Sequence, residues 1–314
     1  MTDAALNTIL MQKITQAGIE LDRSGLTPCG RGADNLVFAA QTIDGRHLIV
    51  KTPLGTRSRY GTAAWAARAL ARCGVPAPQV LWQGSSICIE TRCPGVPLTG
   101  ATDRLDTSGT TPHTTVLRAA AEAGALLRRA HSVLTHGYGR LTPAGVGPHR
   151  SLRDSLRADA PAAARTHPAG ELASVARQVV SDNMWRLADA GPRLLVGDCA
   201  ARHIFVDAGT AVVSGFIDLE SARGGQPHAD VAGFAVREHP QVTHAFLDGY
   251  YPAGPTVDDL WALTIHRARI TTRLLLFHLG RHEHAPARRF ADALSADLTA
   301  ITSGTPIALP AHLQ

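Results

Sequence analysis

The stretch that most constrains this chain is LLVGDCAARHIFVDAGTAVVSGFIDLESARGG, residues 194–225. Within it, Asp198, His203 and Asp218 lie at the ends of short apolar runs, although only 18% of the chain is charged. HIFVD and AVVSGFID have the composition of β-strands and predict a small hairpin. Such a hairpin would bring the three polar side chains to one end of a lobe. The alternative for His203 is an ordinary packed residue of a strand.

The length and hydrophobicity of the chain bound its fold and its compartment. With 314 residues, 45% of them hydrophobic, it can bury a large core in one domain or two lobes. It has no run of about 18 apolar residues and no signal-peptide pattern at its N-terminus. Its five cysteines are scattered, without a C-x-x-C pair, which favours reduced thiols. We therefore expect a cytoplasmic protein without a membrane partner.

The charge balance is basic, with a net charge of +5 and a pI near 9.2. The arginines are dispersed, and the sequence has no polybasic block with interleaved aromatic residues. This pattern argues against a nucleic-acid partner, so a nucleic-acid-binding protein or scaffold is the weakest alternative. A nucleotide or another small anion suits the charge equally well.

Residues 1–94 have the pattern of a small β-rich lobe. A short amphipathic helix precedes LVFAA and HLIVK, two β-rich runs that flank Asp44-Gly45 and predict a hairpin. Residues 61–73 have helical composition, and VLWQG and SICIETRC predict two further strands. Pro94-Gly95 breaks this pattern, and there we place the boundary between an N-lobe, 1–94, and a C-lobe, 95–314.

The C-lobe is predicted to be mostly helical. We expect helices over 116–131 and 171–190, helical stretches around 151–159, and mostly helical structure from the hairpin to about residue 303. Residues 100–115, rich in Thr, Ser and Asp, are expected to be a loop. The predicted fold class is therefore α+β, with a small β-rich N-lobe and a larger, mostly helical C-lobe.

Two features of the N-lobe suit phosphate binding. Gly30 and Gly32 lie in a turn between predicted strands, where the absence of a Cβ lets backbone N–H groups approach phosphate oxygens. Lys51 ends an apolar strand about twenty residues later and is a candidate contact for the α- and β-phosphates of a nucleotide. Each feature alone is also typical of an ordinary glycine turn or of a solvated lysine.

The motif G-D-x-x-x-x-H, followed by F-I-D-L-E-S-A and Q-P-H-A-D-V-A, resembles the aminoglycoside phosphotransferase family. G-A-D-N-L-V-F, G-V-P-A-P-Q-V-L and H-G-Y-G-R-L match that family as well, and the resemblance covers roughly residues 25–300. It implies a bilobal protein-kinase-like fold. It also implies transfer of the γ-phosphate of ATP or GTP, with Mg²⁺, to a hydroxyl of a small-molecule antibiotic. The alternative acceptor is a primary metabolite such as choline, another amino alcohol or a sugar.

The resemblance assigns roles to individual residues of the C-lobe. It implies that Asp198 is the catalytic base and that Asp218 is the main ligand of Mg²⁺. His203 stands where the family most often has Asn as the second metal ligand, and imidazole is softer than the oxygen ligands that Mg²⁺ prefers. Asp230 stands where a carboxylate braces the catalytic loop by accepting hydrogen bonds.

The resemblance also implies a nucleotide site in the N-lobe. The residues expected there are Gly30, Gly32, Asn35 and Lys51 around the phosphates, and the backbone of Glu90 to Arg92 at the purine edge. In such folds a helix glutamate pairs with the strand lysine, yet residues 45–89 contain no Asp or Glu. Lys51 would then be held by Asp218, by the nucleotide, or poorly. This departure motivates a further alternative, a nucleotide-binding pseudokinase.

The acceptor site is the least constrained part of the sequence. Family members that act on polycationic aminoglycosides usually have a carboxylate-rich acceptor cleft. Here the chain is basic, and the acids of its last third are mixed with cationic side chains such as Arg267, Arg269 and Arg273. Because electrostatic complementarity to a strong cation is poor, we expect a neutral or weakly charged antibiotic.

Overall fold

The computed structural model describes residues 3–32, 34–56, 58–99, 114–159, 168–207 and 209–307. Its N-terminal part contains five strands, β1 Thr27–Arg31, β2 Asn35–Gln41, β3 His47–Pro53, β4 Val80–Gln83 and β5 Cys88–Thr91. They form one antiparallel sheet in the order β1-β2-β3-β5-β4. The predicted hairpin is confirmed, because β2 and β3 pair without a break from Asn35–Pro53 to Gln41–His47.

Two helices accompany this sheet, α1 Asp3–Gln16 and α2 Tyr60–Arg72. α1 buries Leu10 and Ile14, each 1% exposed, in a cluster with Leu48 and Val50 of β3. This burial confirms the amphipathic helix at the N-terminus. α2 buries Leu70 in a different cluster, which continues into the second part of the molecule.

The second part is mostly helical, as predicted. Its α-helices among the described residues are α3 Thr114–Ala130, α4 Leu152–Ala158, α5 Pro168–Asn183, α6 His228–Ala235, α7 Pro240–Tyr250, α8 Val257–Gly280 and α9 His284–Thr302. None of the helices in the described part of the chain is long and apolar enough to cross a membrane. The expected loop over 100–115 falls largely outside the described residues, because 100–113 are not described.

The predicted helix over 171–190 is wrong at its C-terminal end. α5 stops at Asn183, and a 3₁₀ turn, Met184–Arg186, follows it. The Arg186 guanidinium lies 4.0 Å from the ring centroid of Trp261 in α8. Leu187, directly after the turn, is 7% exposed. Packing against α8 therefore overrides the helical composition of these residues.

In the part of the chain that the structure describes, six short strands lie between the helices. They are β6 Val96–Pro97, β7 Gly139–Arg140, β8 Arg193–Leu195, β9 Ile204–Val206, β10 Val213–Phe216 and β11 Arg223–Gly225. β10, β9 and β6 form one antiparallel sheet, and β7, β11 and β8 form another. The pairing of β9 with β10 confirms the hairpin predicted from HIFVD and AVVSGFID.

A buried carboxyl in α9 gives the stability of the fold a specific pH dependence. Asp297 is 0% exposed, and its Oδ1 accepts from Arg267 Nε of α8 at 3.2 Å. Burial raises the pKa of Asp297 to about 6, although Arg267 opposes this shift. Between its unfolded and folded pKa values, the folded protein keeps a proton that the unfolded chain releases. The contribution of this group therefore falls by up to about 3 kcal/mol as the pH rises from 4 to 6.

We expect Asp297→Asn to remove this dependence, because the amide does not titrate and still accepts from Arg267. Urea unfolding of both proteins at pH 4.5 and pH 7 measures the effect. Between pH 4.5 and pH 7, the free energy of unfolding of the wild type should fall by about 2–3 kcal/mol relative to that of the variant. Asp292→Asn, an exposed position of the same helix, should follow the wild type. Equal pH dependence in Asp297→Asn and the wild type would contradict the assignment.

Candidate functional site

The loop after β8 is held by a buried carboxylate. Asp230, 3% exposed in the first turn of α6, accepts the N–H of Val196 at 2.6 Å and that of Gly197 at 3.0 Å. His131 Nε2 lies 3.3 Å from the same carboxylate. This is the bracing contact expected for Asp230, and it fixes the backbone directly before Asp198.

Gly197 sets the approach of two loops and was missed by sequence reasoning. Its φ is +85°, a region that favours glycine, and a Cβ there would lie 1.9 Å from the Ser221 carbonyl oxygen. Only glycine lets the loop of Asp198 pass so close to the segment after β10. In the sequence, the signal for this close approach was a glycine directly before Asp198.

The structure brings Asp198, His203 and Asp218 together, as the hairpin predicted. One ligand atom from each residue can be chosen so that all lie within 4.8 Å of one another. His203 Nδ1 lies 3.0 Å from the Asp198 backbone oxygen, and its Nε2 lies 3.7 Å from Asp218 Oδ2. Arg202 Nε, which only donates, lies 3.2 Å from Nε2. Nδ1 therefore carries the proton and donates to the Asp198 backbone oxygen, while the lone pair of Nε2 accepts from Arg202.

Asp218 has an uncommon backbone conformation. Its φ of 60° and ψ of 47° are left-handed, at the start of the 3₁₀ turn Leu219–Ser221. Asp and Asn tolerate this region better than most residues, and it costs about 1–2 kcal/mol. The strain holds the carboxylate, which is 43% exposed, beside His203.

Both carboxylate oxygens of Asp198 accept hydrogen bonds from arginines. Arg202 Nη2 lies 2.8 Å from Oδ2, and Arg237 Nη2 lies 3.1 Å from Oδ1. Arg237 is itself anchored on the Gly233 carbonyl oxygen at 2.6 Å. The Asp198 side chain is 28% exposed, so the arginines fix its orientation and leave it accessible.

Lys51 is buried between two glutamates. This corrects the expectation that Lys51 is held by Asp218, by the nucleotide, or poorly. Its Nζ lies 3.0 Å from Glu90 Oε1 and 3.6 Å from Glu220 Oε1, and the three side chains are 8–11% exposed. In the sheet, Lys51 is opposite Cys88, so Glu90 two residues later lies on the same face. Burial lowers the pKa of Lys51, but Glu90, Glu220 and Asp218 raise it above its ordinary value overall.

Asn35 positions Glu220 instead of offering its side chain to a ligand. Its Nδ2 lies 3.0 Å from each carboxylate oxygen of Glu220, and its Oδ1 accepts the Tyr60 hydroxyl at 2.8 Å. Tyr60 begins α2, so this helix supports Lys51 through a tyrosine and an amide where a glutamate was expected. The contact of Asn35 with a nucleotide stays a prediction. In the sequence, the signal that Glu220 belongs to the site was its position two residues after Asp218.

A cleft of about 440 Å³ lies between the sheet and the Asp198 loop, and we call it the interlobe cleft. Its apolar walls are Val37 and Ile49 on the sheet side and Phe205 and Ile217 on the other side. Its polar groups include Gly32, Asn35, Lys51, Glu90, Arg92, Asp198, His203, Asp218 and Glu220. Apolar walls with charged groups at one end suit a ligand with a flat ring and an anionic tail.

The predicted glycine and hinge residues differ in what they offer. Gly32 lines the cleft, whereas Gly30 lies in β1 outside the lining residues. A Cβ on Gly30 would meet nothing within 4 Å, and one on Gly32 nothing nearer than 3.7 Å, so backbone packing requires neither glycine. The Arg92 N–H donates to the His47 oxygen at 2.9 Å. A ligand at the hinge would therefore need other backbone groups of Glu90 to Arg92.

A second cavity of about 440 Å³, the C-lobe cavity, meets the interlobe cleft at Asp198. Asp34, Asp198 and Ser221 line both spaces. The C-lobe cavity continues between β7, β11, α4 and α8, and its cationic lining residues are Arg59, Arg140, Arg223, Arg237, Arg269 and Arg273. The carboxylate of Asp198 thus stands between two spaces, each large enough for a small molecule.

The group of Asp198, His203 and Asp218 fits a divalent cation. Two carboxylates supply the oxygen ligands that Mg²⁺ prefers, and Nε2 of His203 has a lone pair that accepts from Arg202 Nε in this structure. The second nitrogen of His203 donates to a backbone carbonyl, which is the usual orientation of a ligating histidine. Asp218, the more exposed carboxylate, is the group most open to an ion from the interlobe cleft.

We expect the double variant Glu90→Gln/Glu220→Gln to be more destabilised than the sum of its single variants. Each single change leaves Lys51 one carboxylate and should lower the free energy of unfolding by about 1–2 kcal/mol. The double change leaves a buried, unpaired lysine, which costs about 3–5 kcal/mol. Urea unfolding of the four proteins measures the coupling. Glu283→Gln, in an exposed pair with Arg281, should change stability by less than about 1 kcal/mol, and strict additivity would contradict the shared pairing.

Comparisons with known proteins agree with this architecture. The chain resembles a crystal structure of aminoglycoside phosphotransferase APH(4)-Ia, with a TM-score of 0.74 and 18% identity over 95% of this chain and 99% of that chain. It also resembles macrolide 2'-phosphotransferase MphH from Brachybacterium faecium, with a TM-score of 0.57 and 20% identity over 92% and 97%. A complex of APH(2")-IIia with GDP and kanamycin matches with a TM-score of 0.65 and 14% identity over 93% and 98%.

The sequence comparisons give a single family. Comparison with curated proteins gives no significant match. The family model described as the phosphotransferase enzyme family, APH, matches residues 25–261, which include the sheet, the Asp198 loop and Asp218. The kinase-like fold predicted from the sequence is therefore confirmed. The chain belongs to the phosphotransferase enzyme family.

Proposed function

We propose that this protein transfers the γ-phosphoryl group of ATP or GTP, with Mg²⁺, to a hydroxyl of a small-molecule antibiotic. The observation that carries the proposal is the position of Asp198, which lines both the interlobe cleft and the C-lobe cavity. A donor in the first space and an acceptor in the second would meet at this carboxylate. Phosphoryl transfer needs this in-line placement more than any covalent chemistry from the protein.

The interlobe cleft is the proposed nucleotide site, between an N-lobe of residues 1–94 and a C-lobe of residues 95–314. Val37, Ile49, Phe205 and Ile217 would enclose the purine ring, and Lys51 would reach the phosphates. Lys51 has three donors; Glu90 lies at hydrogen-bond distance, 3.0 Å, and Glu220 is an ion-pair partner at 3.6 Å, so donor capacity is left for a phosphate oxygen. Structures of related folds with ADP, AMP-PNP and GDP support a nucleotide in this place.

Asp218 and His203 are the proposed ligands of Mg²⁺. The bound ion would neutralise charge that develops on the phosphate oxygens during transfer. Asp218 supplies the oxygen ligand, and the left-handed backbone fixes its direction. His203 supplies Nε2 and also ties the ion site to the loop of Asp198 through Nδ1.

In the proposed reaction the acceptor hydroxyl donates a hydrogen bond to the carboxylate of Asp198. The hydroxyl oxygen forms a bond to the γ-phosphorus, and the bond between this phosphorus and the β,γ-bridging oxygen breaks. The proton of the hydroxyl moves to Asp198 and then to solvent, and the nucleoside diphosphate leaves with its charge opposed by Lys51. Arg237 and Asp230 keep the carboxylate in place throughout.

The competing pseudokinase interpretation loses its main support. It depended on a lysine without a carboxylate partner, and Lys51 has two. An antibiotic acceptor is supported by structures of similar fold in complex with hygromycin B and with kanamycin. A primary metabolite stays the alternative acceptor. We also propose a cytoplasmic location, where ATP or GTP is available.

The test is nucleotide binding followed by acceptor screening on the full chain. Calorimetry with Mg·AMP-PNP and Mg·GDP should show one site. Release of ADP or GDP should rise with one acceptor class in a panel of aminoglycoside, macrolide, nucleoside and peptide antibiotics, and mass spectrometry should show the added phosphate. Absence of nucleotide binding would refute the proposal. Binding without transfer to any of these acceptors would favour the primary metabolite.

A further inference from the structure

Four arginines crowd one wall of the C-lobe cavity. They are Arg140 of β7, Arg223 of β11, and Arg269 and Arg273 of α8, and we call them the arginine cluster. α8 is fixed at its start by a capping box between Thr256 and Asp259, so its arginines are carried by a rigid element. All four line the same space as Asp198.

The cluster places like charges next to one another. Arg223 and Arg140 are directly opposite in the ladder of β11 and β7. Arg269 and Arg273 are four residues apart on α8 and thus on the same helix face. Both arrangements bring like charges together and destabilise a fold. Packing alone gives no reason for four cations in this wall.

Compensation inside the protein is incomplete. Asp159 pairs with Arg223, and it is the one carboxylate among the described residues that is bonded to the cluster. Arg223 Nε and Arg140 Nη1 are buried without a partner among the described residues. Residues 160–167, which follow Asp159 in the chain, contain no acid. One carboxylate against four guanidinium groups leaves a net charge of +3 on this wall.

Arg269 shows the imbalance most clearly. Its Nη1 lies 3.0 Å from Nδ1 of His266, whose Nε2 lies 2.7 Å from Gln226 Oε1. Burial lowers the pKa of His266 well below its ordinary value, so Arg269 has a neutral partner. Burial also lowers the pKa of Arg269 to about 10; Asp159 opposes this shift, while Arg273 and Arg223 add to it.

We propose that the arginine cluster binds an oxyanion of the acceptor, so that the substrate is a hydroxylated molecule carrying a carboxylate, phosphate or sulfate group. The inference rests on the proposed function and refines it. Guanidinium groups bind such oxyanions with paired hydrogen bonds, and all four arginines of the cluster line the cavity. With the oxyanion on the cluster, a hydroxyl of the same molecule would lie in the space that Asp198 also lines.

A neighbouring cavity indicates that the acceptor also has an apolar part. This space, about 310 Å³, shares Leu156, Asp159, Arg269 and Arg273 with the C-lobe cavity. It continues between α4, α5 and α8, where Val180 and Met184 line it. An acceptor that fills both spaces would place its oxyanion at their junction. A polycation would instead meet like charge on this wall, which opposes its binding.

The binding test uses inorganic sulfate as the probe and the full chain saturated with Mg·AMP-PNP, so that the interlobe cleft is occupied. Calorimetry should show one sulfate site that weakens at least tenfold in Arg273→Gln and further in Arg269→Gln/Arg273→Gln. Arg273 is exposed, so its single variant tests the proposal even if the double variant is unstable. Arg281→Gln, at the exposed end of α8, should bind sulfate within twofold of the wild type. Sulfate affinity unchanged by Arg273→Gln would overturn the proposal.

The transfer test compares acceptors that differ in one group: glucuronic acid, its amide, and glucosamine. We expect kcat/KM for the acid to exceed that for the amide at least tenfold, and Arg273→Gln to reduce this preference. Faster transfer to the amine, undiminished in Arg273→Gln, would overturn the oxyanion site while leaving the phosphotransferase proposal intact. Absence of Mg·AMP-PNP binding to the wild-type protein would instead refute the phosphotransferase proposal. If none of the three acceptors is phosphorylated, the sulfate result decides.

Discussion

Asp198→Asn is expected to lower kcat for phosphoryl transfer by about 10³-fold or more, with nucleotide affinity changed less than about threefold. The amide has the same shape and can still accept from Arg202 or Arg237, so the loop should keep its place. It cannot take the proton of the acceptor hydroxyl, and loss of a general base costs about 10²–10⁴-fold. Steady-state release of nucleoside diphosphate and calorimetry with Mg·AMP-PNP measure the two quantities.

Two comparisons make this result specific to Asp198. Asp248→Asn, on an exposed position of α7, makes the same chemical change and should keep wild-type turnover. Asp230→Asn removes part of the brace under Val196 and Gly197 and should reduce both kcat and the free energy of unfolding. If Asp198→Asn keeps more than a tenth of wild-type kcat, Asp198 is not the base. If Asp198→Asn lowers the free energy of unfolding as much as Asp230→Asn does, the role of Asp198 is structural.

Most of the fold could be predicted from the sequence because its signals are local. The alternation in LVFAA and HLIVK, with a turn between them, is enough to specify the β2–β3 hairpin. The apolar spacing of Leu10 and Ile14 specifies the buried side of α1. The end of α5 could not be predicted in this way, since it depends on Trp261, which comes about 75 residues later in the chain and receives Arg186.

The candidate site was predicted where its residues are close in sequence. Asp198, His203 and Asp218 are joined by one hairpin, so their meeting follows from local pairing. The partners of Lys51 were not predicted, because Glu220 comes 169 residues later in the chain. Pair spacing within a helix gives no information on such a contact. The absence of acids over residues 45–89 is a true feature of the sequence, but the conclusion that Lys51 lacks a partner does not follow from it.

The network around Lys51 shows how the fold replaces a missing residue. The helix that would carry a glutamate begins with Tyr60, and the hydroxyl of Tyr60 fixes Asn35, which fixes Glu220. Burial raises the pKa of Glu220, while Lys51 and Asn35 lower it. Lys51 therefore has one carboxylate partner in the N-lobe, Glu90, and one in the C-lobe, Glu220, which lies beside Asp218 in the chain. This links the two lobes through a buried ion pair.

Asp218→Asn is expected to abolish magnesium-dependent turnover, by about 10³-fold or more, without unfolding the protein. Asn tolerates the left-handed backbone of this position, so the 3₁₀ turn should persist. The amide loses the negative charge that holds a hard cation beside the phosphates. The affinity for AMP-PNP should therefore weaken in the presence of Mg²⁺ and change little in its absence. Calorimetry with and without Mg²⁺ separates these cases, and equal weakening in both would show that Asp218 does not act through the metal.

His203→Asn provides the companion measurement, because it tests whether the imidazole is a ligand or a packed residue. Oxygen ligands such as an amide carbonyl suit both Mg²⁺ and Mn²⁺, whereas the softer Mn²⁺ accepts an imidazole nitrogen more readily than Mg²⁺ does. If Nε2 ligates, His203→Asn should keep turnover within about tenfold and raise the ratio of Mg²⁺-supported to Mn²⁺-supported kcat. Loss of turnover with both metals would instead assign His203 to the support of the Asp198 loop through its Nδ1 hydrogen bond. An unchanged ratio with full activity would mean that Asp218 holds the metal without it.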